Sequence, residues 1–175
     1  VSILDSAGQL DTLTLDEVRF LFRDARDVEA LSNALQRAPC LKNITLYNCF
    51  PVEPILEGQH HNQQRQAHLC ADPIAQALTN IPSLEELNLI FTLEGPEWIG
   101  ALLRQSCCSQ SMKILRINVP DGSLRGGPIV CMSKALESNT TLKELSIRCP
   151  LDEEGGVALA KALKVSSNRI QELYL

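Results

Sequence analysis

Ser138-Asn139-Thr140-Thr141-Leu142-Lys143-Glu144-Leu145-Ser146-Ile147 sets aliphatic side chains at positions 142, 145 and 147. The two-residue step from 145 to 147 is the period of a strand with one face buried. The same Leu-x-x-Leu-x-Leu frame recurs outward in both directions. It reads Leu10, Leu13, Leu15, then Leu41, Ile44, Leu46, then Leu84, Leu87, Leu89. It continues as Met112, Leu115, Ile117 and, beyond the quoted stretch, Ile170, Leu173, Leu175. All 18 frame positions are Leu, Ile or Met, types that make up only 42 of the 175 residues. That concentration makes the chain an internal repeat, with starts at 10, 41, 84, 112, 142 and 170 and intervals of 31, 43, 28, 30 and 28.

A second element lies between the frames. An Ala-Leu pair precedes each later frame, at 34–35, 77–78, 101–102, 135–136 and 162–163. Proline stands near the start of three of these segments, at Pro73, Pro96 and Pro128, where its missing N–H has no helical partner to lose. The segments therefore read as helices. One repeat is a short strand, a turn, a helix and a turn back. No single unit buries its apolar face, so the units must stack into a solenoid with a continuous core. A helix is wider than a strand spacing, about 10 Å against about 4.8 Å, so the stack curves with the parallel sheet on its concave side and the helices on its convex side. Strands are expected near 12–15, 43–46, 86–89, 114–117, 144–147 and 172–175.

The runs Ser138 to Ile147 and Pro82-Ser83-Leu84-Glu85-Glu86-Leu87-Asn88-Leu89 resemble the leucine-rich repeats of ribonuclease inhibitor and of the NOD-like receptors. The resemblance extends over essentially the whole chain. It implies an α/β leucine-rich-repeat solenoid that binds proteins without catalysing a reaction, either as the sensor or regulatory part of a larger receptor or, as the alternative, as a regulator of an enzyme similar to GTPase-activating repeats. Members of that group often carry Asn or Cys at the ninth frame position. Here those positions are Val18, Cys49, Thr92, Pro120 and Pro150. Residues 16–39 are expected to hold the first, irregular helix region. The Gly126-Gly127 and Gly155-Gly156 pairs are expected in turns, Cys107-Cys108 in a lengthened turn, and Cys131 in the core. The 43-residue interval carries about 14 surplus residues by comparison with the usual repeat length, placed at 54–68 as a polar inserted loop. Neither end has a polar capping repeat, as expected of a piece of a longer array.

Bulk properties narrow the function. The chain is 45% hydrophobic but only 4% aromatic, and its net charge is −5. That balance argues against nucleic acid, which selects basic patches. No run of 18 apolar residues encodes a spanning helix, so no membrane association is expected. Seven cysteines, odd in number and without a Cys-x-x-Cys, fit a reducing compartment and a cytoplasmic location. His60, His61, His68 and Cys70 match no zinc spacing and read as a solvated loop. The sequons at Asn43 and Asn139 read as a strand residue and a repeat residue. Asp152-Glu153-Glu154 reads as the acidic start of a helix. No cofactor, metal or catalytic set is expected.

Function is therefore expected where strand residues point away from the core. The third, fifth and seventh frame positions form columns across the concave face. Tyr47, Glu86, Asn88, Ile90, Ile114, Arg116, Asn118, Ser146 and Arg148 are the candidate protein-binding residues. Tyr47, Ile90, Ile114 and Arg116 are expected to form an exposed cluster, since aromatic and Arg side chains favour interfaces.

Overall fold

A computed structural model describes residues 10–17, 19–21, 29–30, 33–35, 37–52, 75–91, 96–119, 127–166 and 169–175. Each frame segment is a strand. In chain order the strands are β1 (Thr12–Asp16), β2 (Arg19–Leu21), β3 (Asn43–Tyr47), β4 (Phe50–Val52), β5 (Glu86–Ile90), β6 (Ile114–Asn118), β7 (Glu144–Arg148) and β8 (Glu172–Tyr174). The long described helices are α1 (Pro96–Cys108), α2 (Gly127–Ser138) and α3 (Glu153–Ser166). Residues 33–35 and 75–79 are also helical. The frame strands form one six-stranded parallel sheet in the order β1-β3-β5-β6-β7-β8. Register follows the frame, so Leu13, Ile44, Leu87, Leu115, Leu145 and Leu173 align from strand to strand. α1 packs on α2 and α2 on α3 along the convex side. The fold is an α/β solenoid of leucine-rich-repeat type.

The backbone entering β3, β5, β6, β7 and β8 repeats one device. Two successive amides converge on a single carbonyl of the preceding repeat. Glu85 and Glu86 donate to Lys42 O at 2.8 and 2.9 Å, and Lys143 and Glu144 donate to Lys113 O at 2.8 and 3.0 Å. Side chains reinforce the stack just before the frame. Ser83 Oγ donates to Leu41 O at 2.7 Å, Thr141 Oγ1 to Ser109 O at 3.1 Å, and Arg169 Nη1 to Asn139 O at 2.7 Å. The core is the frame itself. Ile44, Leu46, Leu87, Leu89 and Leu115 are completely buried, together with Phe91 and the helix residues Leu102 and Leu103.

Several local expectations change. Residues 16–39 are not wholly a helix region, because Arg19–Leu21 pairs in parallel with Phe50–Val52 as a second, two-stranded sheet. Glu17 and Asn48, directly after β1 and β3, adopt left-handed backbone conformations with φ of 51° and 47°. These sharp corners turn both chains off the main sheet at equivalent places, so the two exits run side by side. Cys49, at the ninth position, is buried and donates its Sγ to Leu15 O at 3.3 Å and Tyr47 O at 3.4 Å, which ties the corner to the previous repeat.

Gly155-Gly156 lies inside α3 rather than in a turn, and Gly127 opens α2. Asp152 starts α3 early by accepting the Gly155 N–H on its Oδ1 at 2.8 Å, the usual N-cap bond. Cys107 and Cys108 complete the last turn of α1 rather than a loop. Cys131 is exposed on α2, while its neighbours Met132 and Ser133 are buried. The inserted segment 54–68, with its three histidines, lies outside the described residues.

Candidate concave-face binding site

The strand pairing assembles the outward-facing positions into columns. Glu86, Ile114, Glu144 and Glu172 are consecutive neighbours in the third-position column. Asn88, Arg116, Ser146 and Tyr174 follow one another in the fifth. Tyr47, Ile90, Asn118 and Arg148 do so in the seventh. All nine candidate residues thus lie on one face of five-residue strands whose alternate residues are buried.

The face is held by a polar network centred on Arg116. Its Nε donates to Glu144 Oε1 at 2.8 Å, and its Nη1 donates to Glu86 Oε1 and, at 3.4 Å, to Asn88 Oδ1. Asn88 Nδ2 in turn donates to Glu86 Oε1 at 3.0 Å and to Thr45 Oγ1 at 3.3 Å. One connected chain of bonds therefore crosses β3, β5, β6 and β7. Partial burial favours the neutral form of Arg116, but the bond to Glu144 and the field of Glu86 outweigh it, and the pKa is raised above its ordinary value. Such pairing neutralises the Arg116 charge within the sheet. Tyr174, on β8, donates its hydroxyl to Glu172 Oε2 at 3.0 Å.

Ile90, Ile114 and Tyr47 are half-buried, so they do not make the exposed apolar cluster expected of repeats two to four. Neighbouring strands lie only about 4.8 Å apart, and side chains in adjacent columns cover one another. The open space is an indentation of about 540 Å³ whose lining comes mainly from β5 to β8. Asn88, Ile90, Arg116, Asn118, Ser146 and Arg148 contribute to it among the candidates. Tyr47, Glu86 and Ile114 do not. Glu144, Glu172 and Tyr174 line it as well and were missed. Their signal was present, since all three occupy outward columns in register with named candidates.

Among the described residues, no group of three or more His, Cys, Asp and Glu side chains could hold a metal ion. Nor is any described helix long and apolar enough to cross a membrane. Among the described residues, Cys40, Cys49, Cys107, Cys108, Cys131 and Cys149 form no disulfide.

No protein-family model matches the chain. No curated protein matches it either. Among solved structures it is similar to the tropomodulin C-terminal domain of Caenorhabditis elegans, with a TM-score of 0.52 and 17% identity over 95% of this chain and 90% of that one. At that identity the likeness concerns the fold alone. It is consistent with the leucine-rich-repeat architecture of this chain.

Proposed function

We propose that this chain is a non-catalytic protein-recognition module whose partner lies against the concave sheet face. The observation that carries the reading is the indentation over β5 to β8, lined by Asn, Ser, Arg, Glu and Tyr side chains on a rigid parallel sheet. A mixed polar rim with aromatic and Arg anchors is the composition of interfaces. The network through Arg116 fixes several of these groups before any partner arrives, which lowers the ordering cost of association. The ribonuclease-inhibitor and NOD-like-receptor resemblance supports the same role, as the sensor or regulatory part of a larger cytoplasmic receptor. The enzyme-regulator alternative would use an arginine or asparagine arrangement facing its target, and Arg116, engaged by two carboxylates of its own sheet, is not that arginine.

A photo-crosslinking amino acid placed at Asn118 or Ser146, compared with one at Lys134 on convex helix α2, tests the proposal in cells. Partner adducts should form from the sheet positions. Adducts formed only from Lys134 would place the partner on the helices and refute it.

A further inference from the structure

The charges on the concave face are unequally satisfied. Arg116 is held by Glu86 and Glu144, and Glu172 accepts the Tyr174 hydroxyl. Lys113, at the edge of the face, is paired with Glu85 at 2.7 Å. Arg148 differs. It ends β7 in the seventh-position column, is exposed, and lines the indentation. Among the described residues it has neither an ion pair nor a side-chain hydrogen bond. Its strand neighbour in that column is Asn118, a neutral amide, and Ile90 lies one strand further.

The two carboxylates that line the indentation, Glu144 and Glu172, are thus engaged, while the Arg148 guanidinium, with five donors, has no side-chain partner among the described residues. An arginine in that setting matches a planar carboxylate through two parallel N–H···O bonds. Tyr174, 53% exposed, adds an apolar ring to the same space.

Resting on the concave-face reading, we propose that Arg148 is the anchor for an Asp or Glu side chain of the protein partner, with an adjoining apolar partner residue packed on Tyr174. The acidic net charge of the chain does not oppose this. Exposed charges separated by more than about 8–10 Å are largely screened at physiological salt, so the local pairing decides specificity.

The probe is a randomised twelve-residue peptide library displayed on phage and selected against the whole chain. Enriched peptides should share an acidic position. Their affinity should fall at least about fivefold, more than most interface residues contribute, in Arg148→Glu. It should be restored when the peptide's acidic residue is changed to Lys. Lys134→Glu on α2 makes the same change in charge on the convex side and should leave binding unchanged. Ser146→Trp, which fills the indentation, separates the two levels of the argument. Peptides that Ser146→Trp weakens but that need no acidic residue, or that bind Arg148→Glu equally well, overturn the Arg148 anchor and leave the concave-face reading standing. No enrichment, or enrichment insensitive to Ser146→Trp, overturns both.

Discussion

Asn139 uses one side chain to close a turn and join two repeats. Its Nδ2 donates to Cys107 O at 2.7 Å and Ser109 O at 3.5 Å, while its Oδ1 accepts from Thr141 N at 3.0 Å and Leu142 N at 2.8 Å. The residue is 5% exposed. Asn139→Ala would strand buried backbone groups, each costing about 1–3 kcal/mol when left unpaired. A urea melt should show a loss within or above that range, whereas Asn43→Ala, which removes one exposed bond to Thr12, should change stability little. An unaltered midpoint for Asn139→Ala would contradict this role. The buried thiols give a pH prediction. Burial, helped by Cys108, pushes Cys107 from an ordinary 9.0 to about 12, and burial raises Cys149 to about 11. Below pH 9 both folded and unfolded thiols keep their protons, and the preference for the folded state is intact. Above it the unfolded thiols ionise first, so this contribution is lost up to about 12 for Cys107 and about 11 for Cys149. Melting temperatures between pH 8 and 10.5 should therefore fall less steeply for Cys107→Ala than for the parent, and parallel slopes would count against it. At this scale the sequence was only partly legible. Asn139 is legible as a repeat position, but the bonding roles of the Ser83 and Thr141 hydroxyls are not. Their bonds depend on carbonyls of the preceding repeat, at Leu41 and Ser109.

Helix α3 shows how an element depends on its neighbours. Gly155 and Gly156 are adjacent, yet their surroundings are opposite. A Cβ on Gly155 would sit 2.9 Å from Asp152 Oδ1 and 3.2 Å from Ile129 Cγ2 on α2, whereas one on Gly156 would meet nothing within 4 Å. Gly155→Ala should therefore destabilise the chain by roughly 1 kcal/mol or more, because it displaces the N-cap oxygen and crowds the helix interface despite the better helix propensity of Ala. Gly156→Ala should stabilise by about 0.5–1 kcal/mol through that propensity alone. Thermal melts of the two variants should move in opposite directions, and a shared direction would refute the packing argument. A Gly-Gly pair carries no sign of this in sequence and reads as a turn. What decides otherwise is the cap at Asp152, one turn earlier, together with a helix from the preceding repeat. The frame strands were legible for the converse reason. Their period lies within six residues and needs no distant partner to be recognised. β2 and β4 span three residues each and show no frame. They exist because left-handed corners at Glu17 and Asn48 steer two exits together.

Across the whole molecule, stacking converts a local frame into graded stability. Leu87, Leu115 and Leu145 are completely buried between strands on both sides. Leu173 holds the same frame position on β8, which has a described strand on one side only, and is 43% exposed. The register of the sheet follows from the sequence because each frame residue seeks its own kind in the next repeat. The position of the indentation does not. It depends on which side chains pair across the strands: Arg116 is drawn onto Glu86 and Glu144, while Arg148 and Tyr174 remain exposed. The stacking argument makes a quantitative demand. In a solenoid, stability is close to a sum of repeat terms and nearest-neighbour interfaces. Leu115→Ala removes contacts from two interfaces at once and leaves a cavity in a dry core, so it should cost about 2–5 kcal/mol. Leu173→Ala removes contacts from one interface at a site water already reaches, where little cavity persists, and should cost under about 1 kcal/mol. Urea melts of both variants against the parent measure the difference directly. Equal losses would mean that the repeats do not share their interfaces as the register implies.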